Sequence, residues 1–168
     1  ASYGEFSMIR STISMFVVFG TAGLGMTATK YISEYRQAQS SRIGSIYLVT
    51  NLFALITSSI VTIIVLSFSG KIASNTLHSP QLADATRIGA ILLFVTILNG
   101  AQNGVLAGFE NFKGIAINTF IGSISESVFM IIFAHFYGVE GAIFGLGMGF
   151  MALYITNFIT IHKTFRKY

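Results

Sequence analysis

Long apolar runs without charged side chains alternate with short polar stretches along the chain. The runs cover residues 11–29, 43–70, 88–109 and 141–161, and they hold 19 to 28 residues each. An α-helix rises about 1.5 Å per residue, so roughly 20 residues cross a hydrocarbon core of about 30 Å. The pattern therefore predicts a membrane-spanning helix in each run.

A fifth apolar stretch, residues 114–137, is interrupted by one acid, Glu126. Ile, Val and Phe contribute about −0.3 to −0.6 kcal/mol each to insertion, against about 3 kcal/mol for a central carboxylate, so we expect this stretch to insert. We predict an all-α membrane protein in which residues 1–168 form a single polytopic bundle. Its five transmembrane helices are predicted at 11–31, 44–68, 87–109, 114–137 and 139–162.

The composition agrees with a membrane location and excludes several other classes of protein. Apolar residues make up 53% of the chain and charged residues 10%, whereas soluble domains carry roughly 25% charged residues. The net charge of +4 comes mostly from cations at the ends of apolar runs, so we expect no nucleic-acid partner. There is no Cys, and the six acids are scattered singly. We therefore expect no catalytic residues, no metal site and no enzymatic activity.

The distribution of cations between alternate loops predicts the orientation. One side receives seven cations, namely Lys30, Arg36, Arg42, Lys113, Lys163, Arg166 and Lys167, and the other receives Arg10, Lys71 and Arg87. Cytoplasmic loops are enriched in Lys and Arg, which predicts that the 30–42 turn is cytoplasmic. The N-terminus would then lie outside. We interpret the chain as a fragment of a multi-pass protein of the inner membrane that lacks a first helix and a C-terminal half.

Glycines recur every four residues on two of the predicted helices. One ladder is Gly100, Gly104 and Gly108, and the second is Gly141, Gly145 and Gly149. On a helix this spacing places the glycines along one flank, where another backbone can approach closely. Both ladders are predicted to be helix-packing surfaces.

Carboxamides cluster away from the first glycine flank. At about 100° per residue, Asn99, Gln102 and Asn103 share one arc, and Asn118 and Ser125 share an arc with Glu126. Carboxamides that face lipid would leave polar atoms unpaired, so they either bond between helices or line an aqueous cavity. We favour a cavity wall for Asn99, Gln102, Asn103, Asn118 and Ser125.

Charged residues near these arcs suggest roles in binding and coupling. Glu126 is an intramembrane acid, which indicates either coupling to Na⁺ or H⁺, or a structural partner for a cation on a missing helix. Arg10 and Lys30 flank the two ends of the first predicted helix, where they could attract an anionic headgroup at the mouths of a cavity. No other cofactor is expected.

Three stretches resemble one family of membrane transporters. They are GTAGLGMTATKYISEYR at 20–36, NGAQNGVLAGFENFKGIA at 99–116 and YGVEGAIFGLGMG at 137–149. This pattern resembles the polysaccharide and lipid-linked oligosaccharide flippases (Wzx type) of the multidrug/oligosaccharidyl-lipid/polysaccharide exporter superfamily. The resemblance implies helices two to six of the N-terminal lobe of a fold with about 12 to 14 helices in two lobes.

The resemblance also implies a function. A flippase of this kind moves a polyprenyl-diphosphate-linked oligosaccharide across the cytoplasmic membrane by alternating access of a midplane cavity. The implied partners are membrane lipid, the lipid-linked oligosaccharide and the C-terminal lobe. Two alternatives stay open: a multidrug and cation antiporter of the same superfamily, and a non-transporting membrane subunit. Cavities in this family tend to be cationic, yet the apolar runs contain no Arg or Lys, so the cations would come from Arg10, Lys30 or the missing parts.

Overall fold

The computed structural model describes residues 2–21, 23–38, 42–76 and 80–166, and these residues form a helical bundle. Five α-helices follow one another: α1 (Ser2–Thr21), α2 (Leu24–Ala38), α3 (Ile43–Lys71), α4 (Ala83–Gly108) and α5 (Phe112–Phe165). A π-helical segment (Ile72–Thr76) extends α3, and a 3-10 turn (Pro80–Leu82) leads into α4. The all-α membrane class predicted from the sequence is confirmed.

Helix α4 is the centre of the bundle. Buried residues make up 61% of its most apolar stretch, against 22% for the segment containing α3. Three apolar clusters follow one another along α4, around Leu93 at one end, Leu98 in the middle and Leu106 at the other end. The outer surfaces of α3 and α5 carry many exposed large apolar side chains, as helices that face lipid do.

The predicted single helix 11–31 is wrong, because the chain bends within it. α1 begins at Ser2 and ends at Thr21, α2 begins at Leu24, and the two axes differ by 41°. Gly23 has φ of +77°, a left-handed conformation that glycine adopts without steric cost and that ends a helix. The polar stretch after residue 30, which we expected to be a turn, continues as helix to Ala38.

Helix α5 is a hairpin rather than one straight rod. Gly138 interrupts it with φ of 61° and ψ of −134°, which a residue with a Cβ rarely adopts. The second arm, residues 139–165, folds back along the first arm, residues 112–137, so that Gly145 packs on the backbone of Met130. Gly122 likewise contacts Leu153.

Three segments are long and apolar enough to cross a membrane, namely Ile43–Asn75, Ala83–Gly108 and Phe112–Phe165. The bent pair Phe6–Thr21 and Leu24–Arg36 gives a fourth when it is counted as one broken span. Each arm of α5 exceeds the roughly 20 residues that a bilayer core requires. With both arms counted separately, five segments of the described helices are long enough for one crossing each.

Both glycine ladders lie where backbones approach each other. The first ladder faces α1 and α2, and the second faces the first arm of α5. Within the first ladder the closest approach is at Gly104, where a Cβ would overlap the backbone of Gly25. Beside it, the Thr29 hydroxyl donates to the carbonyl oxygen of Gly104 at 2.9 Å.

We expect Gly104→Ala to separate α2 from α4, because the added methyl group has no space. Overpacking of this kind costs about 1–3 kcal/mol, which lowers Tm by roughly 2–10 °C. The matched control is Gly70→Ala on α3, where a Cβ meets nothing within 4 Å. Thermal unfolding in detergent measures both variants, and equal Tm values would show that the contact between α2 and α4 is not a close one.

Candidate functional site

An ion pair links α1 to the first arm of α5. Arg10 Nη2 lies 3.6 Å from Glu126 Oε1. The Glu126 side chain is 20% exposed and that of Arg10 is 55% exposed, so the acid is the more enclosed partner. Charge-assisted N–H···O bonds are about 2.7–2.9 Å long, so this pair attracts without a tight hydrogen bond.

The ion pair borders a small cavity of about 160 Å³. The cavity lies between α1, α4 and the second arm of α5, and its lining is Arg10, Ile13, Ser14, Val17, Thr96, Leu146 and Phe150. The hydroxyls of Ser14 and Thr96 donate to carbonyl oxygens of their own helices, those of Arg10 and Leu92. The Arg10 guanidinium is therefore the charged donor of this lining.

Two expectations for this site are corrected. Arg10 lies inside α1 rather than at a helix end, since the helix begins eight residues before it at Ser2. The cation opposite Glu126 is this Arg10 of the same chain, not one on a missing helix. The bundle thus contains a cation of its own, although the apolar runs contain none.

The predicted carboxamides form hydrogen bonds between helices. Asn118 on the first arm of α5 donates to Asn157 Oδ1 on the second arm at 2.9 Å, and Asn157 donates to Asn103 Oδ1 on α4 at 3.1 Å. Asn118 also exchanges hydrogen bonds with the Thr160 hydroxyl. We call Asn103, Asn118, Asn157 and Thr160 the carboxamide ladder. It joins three helical segments through polar contacts.

Asn99 and Gln102 lie deeper within the helix contacts. Asn99 is 4% exposed and donates to the carbonyl oxygen of Phe150 at 2.9 Å, while Gln102 is 1% exposed. Neither amide atom of Gln102 has a hydrogen-bond partner among the described residues, and neither does Asn99 Oδ1. Asn99, Asn103 and Asn118 therefore form hydrogen bonds between helices in this structure, which is one of the two alternatives that the sequence left open. Their role as a cavity wall stays a prediction.

Of the remaining predicted residues, Ser125 lies beside the ion pair and Lys30 lies apart from it. Ser125 is half-buried next to Glu126 on the same arm. Lys30 is exposed on α2, with its Nζ 5.8 Å from the centre of the Tyr31 ring. It is not brought near Arg10, because the second half of α1, the bend and the first part of α2 separate them.

Sequence reasoning missed Asn157, which is the central member of the carboxamide ladder. A usable signal existed, since Asn157 lies two four-residue steps beyond Gly149, on the side of the helix towards which the glycine ladder turns. A polar residue on a flank that packs closely against another helix is expected to bond across that contact.

A second polar contact that was missed holds the turn between α4 and α5. Arg36 on α2 donates to the carbonyl oxygen of Phe109 at 2.8 Å and pairs with Glu110 at 2.8 Å. Glu110 has φ of 57°, and the Asn111 side chain accepts from the N–H of Gly114 as the N-cap of α5. These contacts fix the angle at which the first arm enters the bundle.

The fold and these contacts define a helical membrane protein with an ion pair between two of its helices. Over residues 1–168 the chain matches the family described as polysaccharide biosynthesis protein, and it belongs to that family. No curated protein and no solved structure gives a significant match. Family membership indicates involvement in the synthesis or transport of polysaccharide.

We expect Asn157→Ala to destabilise the bundle, because it removes the residue that connects Asn118 to Asn103. Interhelical hydrogen bonds in membranes contribute about 0.6 kcal/mol on average and up to about 1.7 kcal/mol, so two lost bonds predict about 1–3 kcal/mol. The control is Asn51→Ala, since Asn51 donates to Tyr47 within its own helix. Unfolding in detergent by heat compares the two. A loss in the control as large as that in Asn157→Ala would contradict the proposed link.

Proposed function

We propose that this chain is part of a flippase that moves a polyprenyl-diphosphate-linked oligosaccharide across the cytoplasmic membrane by alternating access. The ion pair between Arg10 and Glu126 is the observation that carries the proposal. Family membership in polysaccharide biosynthesis supports the class of substrate. The proposal contains no covalent step, so it assigns no catalytic residue.

Arg10 is suited to hold the anionic part of such a substrate. Its guanidinium is half-exposed beside a cavity and carries five N–H donors, which match the oxygens of a diphosphate. Its present partner is one carboxylate oxygen at 3.6 Å, so a diphosphate that approaches Arg10 would form shorter and more numerous bonds. Substrate binding and the ion pair would therefore exclude each other.

Glu126 then serves as the counter-ion that Arg10 leaves when substrate binds. A carboxylate without a partner inside the membrane is costly, so Glu126 would take up H⁺ or Na⁺ when Arg10 turns to the diphosphate. In this proposal the ion taken up by Glu126 couples transport to an ion gradient. The backbone of Glu126 packs on Gly149, which holds the acid in place during the exchange.

The ion pair distinguishes this proposal from a multidrug and cation antiporter. An organic cation would require an acid that is available to it, whereas Glu126 faces Arg10.

The non-transporting subunit has an observation in its favour, because the carboxamide ladder bonds between helices as an adhesive would. Replacement of Asn99, Gln102 and Asn103 together by Ala distinguishes the flippase from the non-transporting subunit. Under the subunit hypothesis, assembly changes and no substrate flux exists to be lost.

The flippase proposal predicts different effects for the two partners of the ion pair. Arg10→Gln should weaken binding of the lipid-linked oligosaccharide by about ten- to a hundred-fold, because a hydrogen bond to a charged group contributes about 1.5–3 kcal/mol. Glu126→Gln should keep substrate binding and lose the response of flux to proton and sodium gradients. The measurements are binding and flux in vesicles that contain the full-length protein.

The control for this experiment is a second ion pair with the same chemistry. Arg87 pairs with Asp84 at 2.7 Å on the exposed start of α4, so Arg87→Gln and Asp84→Asn should change neither binding nor flux. Wild-type flux with unchanged gradient dependence in Glu126→Gln would remove Glu126 from the mechanism. Transport of a cationic dye, without transport of lipid-linked sugar, would replace the flippase by the antiporter.

A further inference from the structure

A second and larger cavity lies between α2 and α3. It has a volume of about 640 Å³ and is open along the bundle surface. Residues on one face of α2 form one wall of the cavity, and α3 forms the other. Most of the exposed lining surface is apolar. The lining consists of Leu24, Thr27, Tyr31 and Tyr35 from α2, and of Arg42, Ser45, Ile46, Val49, Thr50 and Phe53 from α3. We call this cavity the α2–α3 groove.

The groove has a cationic end and an apolar end. Arg42 lies at the end of the groove that is formed by the last turns of α2 and the first turn of α3. Its guanidinium is 5.9 Å from the centre of the Tyr35 ring. Among the described residues, no carboxylate lies within 4 Å of Arg42, in contrast to Arg10, Arg36 and Arg87. The groove therefore has a positive charge at one end that no described acid neutralises.

The start of α3 adds to the attraction for an anion at this end. Arg42 is the N-cap of α3 and makes no side-chain hydrogen bond to the N–H groups of the first turn. The partial positive charge of the helix dipole at this end favours phosphate oxygens. The hydroxyl of Ser45, one turn further along, lines the same end.

The length of the groove matches a lipid chain in one leaflet. From Arg42 to Phe53, α3 rises about 16 Å, which is close to half of a hydrocarbon core of about 30 Å. The charge distribution predicts that the connection from α2 to α3 is cytoplasmic, and the cytoplasmic leaflet is the one rich in anionic lipids.

We propose that the α2–α3 groove binds an anionic glycerophospholipid of the cytoplasmic leaflet. The phosphate lies against Arg42 and the start of α3, and one acyl chain lies along the groove towards Phe53. The site is separate from the Arg10–Glu126 pair and does not depend on the flippase proposal. A lipid bound here fills the space that the described residues leave open between α2 and α3.

The test uses tryptophan fluorescence, because the 168 residues contain no Trp. The full-length protein with Phe53→Trp is placed in phosphatidylcholine vesicles with a minor fraction of phosphatidylglycerol. One of the two lipids carries bromine midway along its acyl chains, and signal from the parent protein is subtracted. We expect brominated phosphatidylglycerol to quench the Phe53→Trp reporter with about a five-fold preference over its share of the lipid.

Matched controls separate the groove from the general lipid surface. Phe120→Trp places the same reporter on an exposed part of α5, where quenching should follow the bulk lipid composition. In the Phe53→Trp background, Arg42→Gln should abolish the preference, whereas Arg42→Lys should retain most of it. Lys163→Gln removes an exposed cation outside the groove and should leave the preference unchanged.

Several results would overturn the proposal. Equal quenching of the Phe53→Trp reporter by both lipids while Arg42 is unchanged would show that no anionic lipid binds through Arg42. A preference that survives Arg42→Gln would show the same. Absence of quenching by either lipid at Phe53→Trp, with normal quenching at Phe120→Trp, would show that protein covers the groove. Relief of quenching by small amounts of a polyprenyl diphosphate would assign the groove to the transported substrate. Since none of these readouts measures flux, failure of the flippase proposal leaves them interpretable.

Discussion

The constraint on which this bundle depends is that polar groups cannot be left facing hydrocarbon. Water in a soluble protein can satisfy an exposed carboxamide or carboxylate, but a lipid chain cannot. For Asn103, Asn118, Asn157 and Glu126, the chain meets this constraint by directing the three carboxamides at one another and Glu126 at Arg10. These partners lie on different helical segments, so the same contacts that neutralise the polar groups also fix the arrangement of the helices.

Glycine makes this arrangement possible because polar side chains are short. Carboxamides on two helices bond directly only where the backbones are close, and the glycine flank beside Asn157 allows the two arms of α5 to approach. On the opposite side of α4, Gly104 allows the same close approach to α2. The close packing at the glycines and the pairing of polar side chains therefore depend on each other, and α4 takes part in both.

The class of fold was predictable from the sequence because apolar run length and the bilayer thickness are directly related. The ion pair was not predictable, because Arg10 and Glu126 are separated by more than a hundred residues and nothing local relates them. The bend at Gly23 was missed because residues 11–29 carry no charge that would mark a break, and among the described residues there it is the positive φ of Gly23 that ends the helix. The carboxamides were recognised as needing partners, but periodicity alone could not decide between water and Asn157.

The turn at Gly138 has a consequence for how the protein enters its membrane. Two arms joined by a single residue are made one directly after the other, and they can leave the translocation machinery together as a pair. Glu126 would then reach the lipid already lying against the Gly149 backbone, with one side shielded from the hydrocarbon. The neighbouring arm would thereby lower the cost of placing an acid in the bilayer before Arg10 is in position.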